Sequence, residues 1–159
     1  MSKRLLIVST LDSSQPFGAF TRPFYLGQYL SKEFELYQVG LDCSAVNYAP
    51  SVSIGSRSIP LYVKTIKKCI EEFHPDVVYA QETLPGITSL IALTTTKQKN
   101  CSLVLDFHTF SAYEYWSRLS SVPNPLKEFL QLIKTYIAQG VLIFSGNPII
   151  AAGESTPKL

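Results

Sequence analysis

The sequence predicts an α/β domain built on an open, doubly wound, mainly parallel sheet. Three observations predict it. Aliphatic runs of strand length recur along the chain, and stretches with helical apolar spacing separate them. The third is composition: 159 residues, 46% hydrophobic and 16% charged, suit one compact core over residues 1–159 and exclude a disordered tail.

Arg4-Leu-Leu-Ile-Val-Ser9 is an aliphatic run of the kind buried on both faces of a parallel sheet. After a polar loop, Thr21 to Lys32 reads as a helix with Thr21 as N-cap, Pro23 in its first turn, and Tyr25, Leu26, Tyr29 and Leu30 as its apolar side. Glu35 to Leu41 returns to strand. Asp42 to Pro60, rich in serine, proline and glycine, is a long connection with a short strand around Val52 to Ile54. Leu61 to Phe73 sets Leu61, Ile66, Cys69, Ile70 and Phe73 along one side of a helix that His74-Pro75 closes. Asp76 to Gln81 is a strand, Pro85 to Thr96 a helix, and Ser102 to His108 a further strand. Pro125 opens a helix to about Ile137, and Pro148 to Ala152 forms a sixth strand. Strand, crossover helix and parallel strand in repetition give the open doubly wound sheet. Glu154-Ser155-Thr156-Pro157 then has the chemistry of another helix start, just before Leu159.

Charge and cysteine content narrow the function classes. Lysine and arginine number 14 against 12 acidic residues, a formal net charge of +2, and they are scattered, so no nucleic-acid partner is expected. Cys43, Cys69 and Cys101 are odd in number, far apart and without CxxC spacing, so they read as reduced cytosolic thiols. Leu5 to Val8 is too short an apolar run for a secretory signal, which points to a cytoplasmic location. Thr135 to Gly153 is uncharged, but Gln139, Gly140, Gly146, Asn147 and Pro148 divide it into two pieces and argue against a membrane span.

In an open parallel sheet ligands lie beyond the carboxyl ends of the strands. The residues there are Thr10 to Arg22, Gln81 to Gly86, His108 to Tyr113 and Gly153 to Thr156. The first loop lacks GxGxxG and GxxxxGK[ST], so neither a dinucleotide cofactor nor a P-loop is expected. Gly18 is either a simple turn residue or lets a phosphate or sugar approach backbone N–H groups. His108 is either satisfied by a neighbouring carbonyl or placed to orient a substrate hydroxyl. Glu82 is a surface carboxylate or an acceptor for substrate hydroxyls, and Tyr113, Tyr115 and Trp116 form an aromatic group for packing or for stacking on a sugar. Asp42 reads as a solvated loop residue. Metal-ligand spacing, Asp-x-Asp and Gly-x-Ser-x-Gly are all missing from the sequence, so no metal, no cofactor and no hydrolase elbow are expected.

In order and spacing, Leu5-Leu-Ile-Val-Ser9, Phe17-Gly-Ala-Phe-Thr-Arg-Pro23, Pro75-Asp-Val-Val-Tyr-Ala-Gln81, Leu103-Val-Leu-Asp-Phe-His-Thr109 and Ile149-Ile-Ala-Ala-Gly-Glu-Ser-Thr156 form a familiar series. Across nearly the whole chain it resembles the N-terminal, acceptor-side domain of GT-B glycosyltransferases, particularly the large retaining family GT4. The resemblance implies a Rossmann-like domain whose first turn, here Phe17, Gly18 and Ala19, approaches the donor phosphate and the transferred sugar. It implies that His108 contacts that sugar. Arg22, Glu82, Thr83, Thr109 and Tyr113, which follow the first, fourth and fifth strands, complete the expected substrate-binding set. The chain has one glycine where the family commonly has two, and Tyr79 where a histidine is common.

Members of that family bind the sugar nucleotide in a C-terminal second domain, which these 159 residues leave no room for. The expected partners are therefore that donor domain, on a longer chain or another chain, a nucleotide-sugar donor and a hydroxyl acceptor. Transfer with retained configuration is expected of the assembly and little of this domain alone. The alternatives are a non-catalytic binding or interaction module on the same sheet and a small flavodoxin-like nucleotide binder. Many members of that family glycosylate lipid-linked acceptors, so Lys64, Lys67 and Lys68 on one helix are either a solvated face, the usual role of such a group, or a peripheral membrane contact.

Overall fold

The computed structural model describes residues 3–15, 21–96, 100–107 and 125–151. Its elements in chain order are β1 (Arg4–Val8), α1 (Thr21–Leu30), β2 (Glu35–Gly40), β3 (Ser51–Ser53), α2 (Ile59–Phe73), β4 (Val77–Gln81), α3 (Thr83–Thr95), β5 (Ser102–Phe107), α4 (Pro125–Phe144) and β6 (Ile149–Ala151). The six strands form one parallel sheet in the order β3-β2-β1-β4-β5-β6. The chain winds outward from β1 to β3, crosses back through α2 to β4, and winds outward again. Strand order therefore reverses between β1 and β4, the position at which such sheets take their ligands. This is the Rossmann-like α/β architecture that the strand and helix alternation predicts.

The strands bury opposite faces in alternation. Leu6, Val8, Val39, Val78, Ala80, Leu103, Leu105 and Phe107 point to one face, where Tyr62, Ile66 and Ile70 of α2, Ala92 of α3 and Leu142 of α4 cover them. Leu5, Ile7 and Leu36 point to the other, against Leu30, Phe34 and Tyr48. That second face also holds Gln38, which is fully buried. Its Nε2 donates to Ser9 Oγ at 3.3 Å and its Oε1 accepts from the Tyr48 hydroxyl at 3.2 Å, so a polar chain runs beneath α1 where burial demands partners.

Several elements depart from the expected ones, each for a local reason. Helix α1 buries Pro23 and Gly27, while Tyr25 and Tyr29 face outward. Gly27 permits this: a Cβ there would collide with the Tyr48 side chain and come within 2.8 Å of Gln38 Oε1. In α2, Tyr62 takes the buried place expected for Leu61, and its hydroxyl donates to Ser9 O at 3.1 Å. His74 closes α2 as expected, at φ 52, donating its backbone N–H to Ile70 O. Helix α3 begins at Thr83 rather than Pro85, and β3 lies one residue earlier than expected. Helix α4 runs to Phe144, well past Ile137; Gly140 does not break it, and the left-handed Gly146 follows its end at φ 74. No helix of the described residues is long and apolar enough to cross a membrane.

Candidate functional site

Asp106 organises the carboxyl ends of the central strands. It lies one residue before the end of β5, paired in register with Gln81 at the end of β4, so both side chains point to the α1 face. A carboxylate there is only 1% exposed, and an unpartnered buried charge would cost several kcal/mol or more. Three side chains compensate it. Arg22, in the first turn of α1, donates from Nη2 to Asp106 Oδ1 at 2.8 Å and Oδ2 at 2.9 Å. The Tyr79 hydroxyl donates to Oδ2 at 2.7 Å, and Gln81 Nε2 reaches the same oxygen at 3.4 Å. The cluster thus ties the start of α1 to β4 and β5 at the sheet's switch point.

The electrostatics follow from this packing. Burial pushes the Tyr79 phenol well above its ordinary range, and the hydrogen bond and negative charge of Asp106 push it further. Burial disfavours the Arg22 charge, but Asp106 more than offsets this, and the guanidinium is held above its usual value. Tyr79 is therefore a neutral donor and Arg22 a permanent cation. Beside them, Gln81 Oε1 is buried with no hydrogen-bond partner among the described residues, and buried polar atoms are ordinarily satisfied.

Glu82 follows β4 directly and adopts φ 77, a conformation that side chains rarely hold. Its carbonyl accepts from the Gly86 N–H at 3.0 Å, and its own N–H donates to Asp106 O at 2.9 Å. The strained residue turns the chain straight from strand into α3. Thr83 then accepts from Gln139 Nε2 of α4 at 3.2 Å, which joins the start of α3 to its neighbouring helix. Gly86 lets that neighbour close: a Cβ would lie 2.9 Å from Leu142 Cδ1 and 3.2 Å from Leu105 Cδ2.

Of the residues expected at the site, Arg22, Glu82 and Thr83 are brought to the carboxyl end of the sheet. Phe17, Gly18, Ala19, His108, Thr109 and Tyr113 lie outside the described residues, as do Tyr115 and Trp116. Asp106 and its partner Tyr79 are the residues that sequence reasoning missed. The signal was an ionisable residue inside the aliphatic run Leu103-Val-Leu-Asp-Phe107, which must find partners if the run is buried. Asp42, by contrast, accepts from Ser44 N and Ser44 Oγ at 2.9 and 3.2 Å, a local turn on the connection after β2. No cluster of histidine, cysteine or carboxylate among the described residues could hold a metal. The three thiols are free, and burial pushes Cys43 up to about 12 and Cys69 and Cys101 up to about 11, which leaves them unreactive.

No known protein family matches the sequence, and no curated protein matches it. Among solved structures the chain is similar to sucrose-phosphate synthase from Thermosynechococcus elongatus, with a TM-score of 0.59 at 10% identity. The match covers 94% of this chain and 47% of that one, so the chain spans about half the length of this structural neighbour. At this identity the likeness is one of fold.

Proposed function

We propose that the chain is the acceptor-side domain of a retaining, GT4-like glycosyltransferase of the GT-B kind. It would transfer a sugar from a nucleotide-sugar to a hydroxyl acceptor when a donor-binding domain, on a longer chain or a second one, faces it. The supporting observation is the buried cluster of Arg22, Tyr79, Gln81 and Asp106 at the switch point, on a fold shared with an enzyme whose named product, sucrose phosphate, joins two sugars. The cytoplasmic location expected from the thiols belongs to the same proposal.

In this scheme the cluster is a positioning device. By fixing Arg22 it fixes the start of α1, and so the point where the turn of Phe17, Gly18 and Ala19 would meet donor phosphate at a helix N-terminus. His108, two residues beyond Asp106, would contact the transferred sugar. Glu82, Thr83, Thr109 and Tyr113 would bind substrate around it. Rate enhancement would come from holding the two substrates in line and stabilising charge on the leaving phosphate.

The test combines this chain with the donor domain encoded downstream of it or beside it, and follows release of nucleoside diphosphate with formation of the glycosylated product. The chain alone should turn over little or nothing and the assembly should turn over. His108→Ala should lower the assembled rate by about a hundredfold, the scale for losing one group that stabilises developing charge. An assembled rate unchanged by His108→Ala would remove that residue from the mechanism. An assembly inert toward every nucleotide-sugar offered would favour the non-catalytic binding module.

A further inference from the structure

Gln81 is the most weakly held member of the cluster at the carboxyl ends of the central strands. Asp106 accepts from Arg22 at 2.8 and 2.9 Å and from the Tyr79 hydroxyl at 2.7 Å. Gln81 Nε2 stands 3.4 Å from the same carboxylate, near the outer limit for such a bond. Asp106 therefore keeps its two strong partners when Gln81 turns away. The other end of the amide, Oε1, is buried with no hydrogen-bond partner among the described residues. Chemistry fixes which end is which, because exchanging them would set an oxygen against the carboxylate.

Position gives that oxygen a use. Gln81 is the last residue of β4, at the switch point where ligands of such sheets lie. Its backbone is held: it pairs with Asp106 across β4 and β5, and the N–H of Glu82 donates to Asp106 O at 2.9 Å. Its side chain has only one long hydrogen bond to lose. The Arg22 side chain is 38% exposed, and Glu82 and Thr83 are half-buried, so the amide lies close beneath the surface. Glu82 beside it holds φ 77, and backbone strain of this kind collects at ligand-binding sites.

We infer that Gln81 is a specificity-determining residue, whose amide turns out to the bound sugar, with Oε1 accepting from one hydroxyl and Nε2 donating to its neighbour. A side-chain amide sets an acceptor beside a donor, which matches adjacent hydroxyls, each able to play either part. A fully ionised phosphate offers acceptors only and would leave Oε1 unpaired, so the amide selects the polyol part of the ligand. Binding exchanges a long hydrogen bond and an unpaired oxygen for two satisfied groups. An analogue lacking the hydroxyl restores the unpaired oxygen. The inference rests on the glycosyltransferase reading, which makes the ligand a sugar, and adds the residue that reads its hydroxyls.

The side-chain amide signal of Gln81 in the isotope-labelled full chain is followed by NMR while glucose, galactose, mannose or fructose is added. At least one of these sugars should shift that signal, and one monodeoxy analogue of it should bind about tenfold more weakly, the scale of one lost hydrogen bond. Gln81→Met keeps the length of the side chain and leaves Asp106 to Arg22 and Tyr79. It should bind the sugar about tenfold more weakly and bind the analogue equally well, with a urea midpoint close to the native one. If this variant does not fold, the native signal, assigned through its bonds to the backbone, carries the test. A sugar that binds without moving the Gln81 signal overturns the inference and leaves the glycosyltransferase reading intact, as does one that Gln81→Met binds as tightly. Binding of none of these sugars also overturns it, while nucleoside diphosphate release by the assembled enzyme judges that reading on its own.

Discussion

The two faces of the sheet are built on different principles. Beneath α2, α3 and α4 lies an almost wholly apolar core drawn from four strands and three helices. Beneath α1 the apolar cluster is small, and polar groups fill the rest: Gln38 with Ser9 and Tyr48, then Asp106 with Arg22, Tyr79 and Gln81. Apolar burial is non-directional and tolerates repacking. Hydrogen-bonded networks in low dielectric are directional and hold atoms in one arrangement. One face therefore supplies stability and the other supplies geometry, and the candidate site opens from the second.

The largest effect expected is on the apolar face. Ile66 is fully buried among α2, the sheet and α3, and Ile66→Ala should cost about 4 kcal/mol of unfolding free energy, transfer and cavity together. Urea denaturation measures it; a loss under 1 kcal/mol would show that this face is not the one that holds the fold. On the polar face, Asp106→Ala leaves Arg22, Tyr79 and Gln81 without their shared acceptor. A cost of about 3 kcal/mol is expected from breaking a buried ion pair on one side, with hydrogen exchange accelerated at the start of α1 more than in α2. Equal acceleration in both helices would mean that the cluster supports the whole domain rather than α1.

Gly27→Ala tests the same face without touching charge. Its Cβ would meet Tyr48 and Gln38, and displacing two hydrogen-bonded side chains should cost about 2 kcal/mol despite alanine's better helix propensity. A stabilised variant would show that α1 can lift away freely, and the polar chain beneath it would lose its claim to rigidity.

The same contrast explains what sequence could reveal. Periodicity identified the sheet and the helices over the apolar face, because burial there follows the 2.0 and 3.6 residue repeats. It misjudged α1, where Tyr25 and Tyr29 carried the apolar signal but Gly27 and Pro23 made the contact, since a glycine's value as a contact depends on what approaches it. It shortened α4 because Gly140 reads as a breaker, although the position faces open space and costs only about 1 kcal/mol relative to alanine. At the site, Arg22, Glu82 and Thr83 were visible from position after a strand. Asp106 was hidden because its partners come from 27 and 84 residues away, a relation that only the folded sheet creates.

Tyr79 gives the smallest effect and the sharpest discrimination. Tyr79→Phe removes one donor to Asp106 and leaves both Arg22 contacts, so about 1.5 kcal/mol should be lost at neutral pH. Its pH dependence reports how firmly burial and Asp106 together hold the phenol neutral. The folded-state phenol is raised above its ordinary value of 10.0, burial being the first cause and Asp106 the second. Its contribution to stability is thus whole below pH 10 and is lost as pH rises above that. Tyr48, pushed up to about 12, and the thiols of Cys43 and Cys69, raised from 9.0, act in the same direction. The native protein should therefore lose stability progressively above pH 9, and Tyr79→Phe should lose less of it over the interval above pH 10. The difference between the two proteins would then narrow as pH rises, read from urea midpoints between pH 8 and 11. A constant difference would mean that the phenol titrates alike in the folded and unfolded chains, so that neither burial nor Asp106 holds it neutral.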